Sequence, residues 1–168
     1  MPLPDSMDYL TGSIFPLNYG TSIHAFKQRA ELKKDDNVLI MGAAGGLGIS
    51  AIHVAKAMGA RVIAAASEEE KLRLCKEAGA DETILYSKDL SSNEDQRAFS
   101  SQIKELTSGS GVDVTFDPVG GYYTEPALRA MAWKGRYLVI GFTTCSTGMV
   151  YARVSAYSCR ELTSAFIT

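Results

Sequence analysis

Five short apolar runs alternate with helix-patterned segments, and that alternation leaves few folds open to this chain. The runs are residues 37–41, 61–66, 83–86, 112–117 and 136–142. Between them, Ile49, Ile52, His53 and Lys56 recur at helical spacing in residues 46–58, and Phe99, Ile103 and Leu106 share one face of residues 93–107. Gly59 marks the end of the first of these helices, and Ser67 with Glu70 forms a capping-box start for a helix over 68–78. A further helix is expected over 122–132, with Gly135 leading into the fifth strand. Strands separated by helices join in parallel, because a parallel connection needs a crossover long enough to hold one. The expected fold is therefore α/β, a doubly wound parallel sheet covered on both faces.

The flanks are less regular. Tyr19, Ile23, Phe26 and Ala30 predict an amphipathic helix over 18–32. Residues 1–17 hold three of the five prolines and little periodicity, which suits a linker or lead-in. One domain is expected over 18–145, followed by a divergent tail, 146–168. In that tail Val150, Ala152, Val154 and Ala156 alternate with Tyr151, Arg153, Ser155 and Tyr157, a strand pattern over 149–157. Such a strand would extend the sheet or pair with a second copy through a sheet edge, giving a homodimer.

Composition excludes several functions. With 17 Lys plus Arg against 19 Asp plus Glu, the formal charge of -2 gives no reason to invoke nucleic acid or an acidic membrane surface. The apolar runs are too short to span a bilayer, and residues 1–6 carry no basic, apolar leader. Cys75, Cys145 and Cys159 lack CxxC spacing and a histidine set for a metal, so no metal site is expected. A reducing compartment follows, read as cytoplasmic with a mitochondrial location as the other option.

The first strand meets its helix through Gly42-Ala43-Ala44-Gly45-Gly46-Leu47-Gly48. In a strand–turn–helix context, glycines let a pyrophosphate reach backbone amides, and the helix start holds the anion. Gly45 and Gly46 would permit that approach, Leu47 follows them into the helix, and Gly48 would let the helix pack on the sheet. The fold is thus expected to be Rossmann-type, although the spacing is GxxGxxG and not GxGxxG. Ala65-Ala66-Ser67 ends the second strand, where a carboxylate would favour NAD and a small hydroxyl leaves room for the extra phosphate of NADP. Lys71 stands one turn further on to meet that phosphate. Glu68 remains an alternative as a ribose-binding acid, so NADPH is preferred and NADH stays open. The plain structural readings are a helix cap for Ser67 and a solvated side chain for Lys71.

These residues resemble the medium-chain dehydrogenase/reductase superfamily, and within it the zinc-less quinone oxidoreductases related to zeta-crystallin. The similarity runs through Asn18-Tyr19-Gly20-Thr21, residues 38–48 and 61–72, Glu77-Ala78-Gly79-Ala80-Asp81, Asp117-Pro118-Val119-Gly120-Gly121 and residues 135–142, covering roughly residues 1 to 145. The resemblance implies that Ser67, Lys71 and Tyr86 surround the adenosine phosphate of NADPH. It places Thr21, Gly141 and Phe142 near the nicotinamide, and Val119 in the loop after the fourth strand. It implies hydride transfer to a quinone or an α,β-unsaturated carbonyl, in a cleft against a second, GroES-like domain.

This chain offers no segment for that second domain, so a truncated form with weak or no activity is expected. The text after Cys145 departs from the family pattern. No catalytic residue is assigned: Tyr122 and Tyr123 have no lysine four positions on, and His24 has no partner near it in sequence. The alternative to a reductase domain is a non-enzymatic protein that binds NADPH or a partner through the same fold.

Overall fold

Val38 and Ile40 point to one face of the first strand and Leu39 and Met41 to the other, and all four are fully buried. A strand apolar on both sides needs cover on both sides. The computed structural model, which describes residues 4–141, 143 and 161–164, supplies that cover with helices on each face. The strands are β1 (Asn37–Ile40), β2 (Arg61–Ala66), β3 (Glu82–Leu85), β4 (Val112–Asp117), β5 (Met131–Val139) and β6 (Glu161–Ser164). The helices are α1 (Tyr9–Ile23), α2 (Gly46–Ala57), α3 (Glu69–Glu77), α4 (Asn93–Leu106) and α5 (Thr124–Arg129). The sheet order is β3-β2-β1-β4-β5-β6, parallel throughout. This is the order of the doubly wound dinucleotide fold, whose switch point lies between β1 and β4.

Two apolar layers flank the sheet. One holds Leu39, Met41, Ile63, Phe99, Ile103 and Tyr137, and the other Phe26, Val38, Ile40, Ile52, Val62 and Phe116. The helix α2 lies close against the turn that follows β1 because Gly48 has no side chain. A Cβ there would stand 2.4 Å from the Ala43 carbonyl oxygen, well inside contact distance.

Four departures from the sequence expectations are observed. First, residues 1–17 are not all lead-in. The Asp8 carboxylate caps a helix by accepting the Thr11 amide at 2.7 Å, and α1 runs from Tyr9 through Pro16. Its residues Tyr9, Leu10, Ile14 and Leu17 are exposed, so no core-facing periodicity announced it. Second, the helix expected over 18–32 is instead the end of α1 plus a π-helical turn, His24–Arg29. Third, the capping box at Ser67 does not form: Glu68 is the N-cap of α3, without a side-chain capping bond. Fourth, the helix expected over 122–132 shortens to a 3-10 turn, Gly121–Tyr123, and α5, with β5 starting already at Met131. Tyr123, Ala127, Leu128, Ala130 and Met131 are all buried, and a continuous apolar run does not reveal where helix gives way to strand. In the tail, the described strand is Glu161–Ser164, which pairs with β5 in parallel from Arg136↔Glu161 to Val139↔Ser164. The alternating stretch 149–157 lies outside the described residues.

Candidate functional site

The turn after β1 is built from backbone alone. Gly42 adopts φ +57, a left-handed conformation that a side chain disfavours, and a Cβ there would meet the Val119 Cγ2 at 2.9 Å. Gly45 is the N-cap of α2 and, having no side chain, leaves the helix start uncapped. The amides of Gly46, Leu47 and Gly48 fall in the first helical turn, which has no intrahelical acceptors. A Cβ on Gly45 would meet only the Gly42 carbonyl oxygen, at 3.5 Å, and one on Gly46 would meet the Asn18 Nδ2 at 3.0 Å. Gly42 and Gly48 are therefore required by the fold, whereas Gly45 faces open space.

That space is a cavity of about 230 Å³ lined by Gly42, Ala44, Gly45, Ala66, Ser67, Lys71 and Tyr86. Four residues singled out from sequence, Gly45, Ser67, Lys71 and Tyr86, thus share one wall. The Tyr86 ring is buried against Tyr123 at 4.9 Å and Phe99 at 5.9 Å. Burial, with the neighbouring Tyr123 second, pushes the Tyr86 hydroxyl up to about 12, so it is a neutral donor. A larger hollow of about 470 Å³ lies between α3 and β3, lined by residues such as Glu69, Arg73 and Lys76, away from the glycine turn.

Beside the cavity the Glu68 carboxylate meets two ammonium groups, Lys88 at 2.6 Å and Lys71 at 3.3 Å. The hydrogen bond from Lys88, then that from Lys71, holds Glu68 below the usual carboxylate range. Lys88 escaped the sequence reading because nothing in its local text links it to Glu68. Its backbone, however, is anchored: the Tyr123 hydroxyl donates to the Lys88 carbonyl at 2.7 Å.

The turn after β4 is organised around a buried carboxylate. Asp117 Oδ1 accepts the amides of Val119 and Gly120 at 2.8 and 2.9 Å, and Oδ2 accepts the hydroxyls of Tyr137 at 2.6 Å and Thr124 at 3.4 Å. Burial raises the Asp117 carboxyl against the opposing pull of these donors. Val119 reaches back to Gly42, which couples the two turns across the switch point. Gly141 sits against the same loop, where its Cβ would meet the Pro118 carbonyl at 3.2 Å. Thr21 is buried inside α1 with its hydroxyl donating to the Leu17 carbonyl at 2.6 Å, and it is not among the residues lining the cavity. Phe142 lies outside the described residues. His24, half-buried, accepts from Arg29 at 3.3 Å.

Among the described residues there is no group of three or more His, Cys, Asp or Glu placed to hold a metal. None of their helices is long and apolar enough to cross a membrane.

Comparison with known proteins adds a family to this geometry. The family described as "Zinc-binding dehydrogenase" matches residues 46–163, and so extends past residue 145, where the sequence reading had the family pattern end. The "Quinone oxidoreductase-like protein 2" of Rattus norvegicus is 36% identical over 141 residues, 83% of this chain and 38% of that protein. A mycobacterial protein solved in complex with NADPH superposes with a TM-score of 0.86 at 29% identity, covering 98% of this chain and 48% of that one. The JamJ enoyl reductase superposes with a TM-score of 0.81 at 26% identity, covering 99% of this chain and 47% of that one. The chain thus spans less than half the length of each of these relatives. With the β3-β2-β1-β4-β5-β6 order and the glycine turn at its switch point, the chain belongs to the zinc-binding dehydrogenase family, within the quinone oxidoreductase group of the medium-chain dehydrogenase/reductases.

Proposed function

We propose that this chain binds NADPH across the carboxyl ends of β1, β2 and β4, as the cofactor domain of a reductase acting on a quinone or an α,β-unsaturated carbonyl. One observation carries the reading. Gly45, Ser67, Lys71 and Tyr86 line a single cavity beside the uncapped start of α2. The free amides of Gly46, Leu47 and Gly48 suit the diphosphate, since an anion there is hydrogen-bonded and meets the positive end of the helix. Lys71 and the neutral Tyr86 hydroxyl are donors suited to the ribose phosphate, and Ser67 leaves it room. NADPH is therefore preferred to NADH. Gly141 and the Asp117–Gly121 turn form a rigid wall on the nicotinamide side, with Thr21 and Phe142 assigned there by resemblance. Bound NADPH would supply the hydride, and the protein contributes orientation and exclusion of water.

The NADPH complex of the mycobacterial neighbour and the names of the quinone oxidoreductase-like and enoyl reductase relatives support this assignment. The acceptor cleft of the family needs a second domain, so the domain division 18–145 and weak activity for this chain alone belong to the proposal. So do a cytoplasmic location and a homodimer formed through a sheet edge.

A second reading, a non-enzymatic NADPH-binding or interaction protein, is favoured by one feature. Tyr9, Leu10, Ile14 and Leu17 of α1 are 90%, 75%, 51% and 66% exposed, an apolar surface suited to association. Calorimetric titration with NADPH and NADH, followed by an assay of quinone-dependent NADPH oxidation, tests first the site and then the reductase activity. NADPH binding with turnover supports the reductase. Binding without turnover supports a cofactor domain dependent on further chain or a binding protein, and no binding of either nucleotide would refute the site.

A further inference from the structure

The reading of the cavity as an NADPH site leaves one arrangement unexplained. Two lysines from different elements converge on one exposed-edge carboxylate that performs no structural task for its own helix. Glu68 occupies the N-cap position of α3, yet its side chain makes no capping bond. It turns instead to Lys71, one turn along α3, and to Lys88, which follows β3. Lys88 is not merely a solvated side chain that happens to be near. Its chain segment is fixed at several points: the Tyr86 amide donates to the Ala66 carbonyl at 3.0 Å, and the Tyr123 hydroxyl donates to the carbonyls of Ser87 at 3.2 Å and Lys88 at 2.7 Å. Tyr123 in turn packs at a tilt against Tyr86, which itself lines the cavity. The packing that presents Tyr86 to the cavity therefore also presents Lys88 to its rim.

Resting on that NADPH reading, we propose that Lys88 is a second ribose-phosphate-binding residue and that Glu68 is a built-in competing anion, which the phosphate displaces from Lys71 and Lys88. A carboxylate carries one negative charge and a phosphate monoester close to two, with an additional acceptor oxygen. Two ammonium groups that converge on the former are spaced to serve the latter. Displacement also frees Glu68 to turn outward, where it is already partly exposed. A nucleotide without the phosphate has nothing with which to displace Glu68 from the lysines. The pair of contacts thus acts as a filter: it costs the phosphate-bearing nucleotide some affinity, and it denies the other nucleotide the two lysines. This assigns Glu68 the opposite role from a ribose-binding acid, which would favour NADH.

The two roles separate by titration of wild type and three variants, Lys88→Ala, Lys88→Arg and Glu68→Gln, with NADPH and with NADH. All three substitutions are at partly or largely exposed side chains, and thermal unfolding of each variant verifies that the fold is retained. Expected are about tenfold weaker NADPH binding for Lys88→Ala, the scale of one charge-assisted hydrogen bond, with NADH changed less than about twofold. Lys88→Arg should restore most of the loss, and Glu68→Gln should tighten NADPH by about threefold or more. Glu68→Gln weakening NADH while leaving NADPH unchanged would overturn the proposal in favour of a ribose-binding acid. Equal effects of Lys88→Ala on both nucleotides would overturn it in favour of general electrostatics. If wild type binds both nucleotides and none of the three variants alters NADPH binding, the filter is refuted while the cofactor site stands; if wild type binds neither nucleotide, both fall together.

Discussion

The two turns that meet at the switch point, Gly42–Gly48 after β1 and Asp117–Gly121 after β4, solve opposite problems with similar glycine-rich text. The first leaves the amides of its helix start, Gly46 to Gly48, without a side-chain acceptor, while those of Ala43 and Gly45 go to the Ala65 and Gly42 carbonyls. Gly45 brings no side chain to cap α2, and the cavity beside it is open. The second turn spends its amides internally, on the buried Asp117 carboxylate, which Tyr137 and Thr124 also hold. Glycine content therefore does not distinguish a receptor from a wall. The presence of an internal acceptor does, because an amide already satisfied gains little from a ligand.

The comparison can be broken or sharpened by substitution. The largest effect is expected from Asp117→Ala, which removes the acceptor shared by two buried amides and the Tyr137 hydroxyl and should cost about 4 kcal/mol of stability. Urea unfolding measures it, and a loss below about 1 kcal/mol would mean that the second turn does not depend on its carboxylate. Next is Gly48→Ala, whose Cβ would collide with the Ala43 backbone. It should cost roughly 3 kcal/mol of stability by overpacking and weaken both nucleotides by displacing α2.

Gly45→Val probes the first turn in the opposite sense. At φ -72 the backbone accepts a side chain, so stability should change by less than about 1 kcal/mol while nucleotide binding is lost. Retained affinity in calorimetry would show that the amides of this turn do not serve as an anion receptor. Lys71→Ala should weaken NADPH by about 1 to 3 kcal/mol and NADH much less; equal losses would count against a phosphate partner. The smallest effect, about 1 kcal/mol on NADPH alone, is expected from Tyr86→Phe, which keeps the ring packing against Tyr123 and Phe99 and removes the hydroxyl together with its bond to the Gly42 amide. A stability loss larger than the binding loss would recast Tyr86 as a core residue.

The strands were legible because a doubly covered sheet writes its buried residues as contiguous apolar runs. The runs at Arg61–Ala66 and Val112–Asp117 appear in the structure with the expected limits, and the others shift at their ends by a few residues. The start of α1 was not legible, since its exposed Tyr9, Leu10 and Ile14 break the link between apolar character and burial. Of the candidate site, Gly45, Ser67 and Lys71 were found because they follow a strand or lie in the first turn of a helix, whereas Tyr86 came only from the family resemblance. Lys88 and the acceptor role of Asp117 were not, because both depend on partners far away in sequence, Glu68 and Tyr137.

The sequence by itself determined the α/β class, the positions of the turns and the glycines that permit them, because burial periodicity and left-handed or close-packed backbone are local properties. Only the tertiary structure decided which turn keeps its amides available, that Val119 locks the two turns together at Gly42, and that Glu161–Ser164 closes the sheet beside β5. Each of these is settled by a hydrogen bond or a contact between segments distant along the chain. A short polar strand such as Glu161–Ser164 takes its conformation from the edge that receives it, and that edge exists only once the sheet has formed.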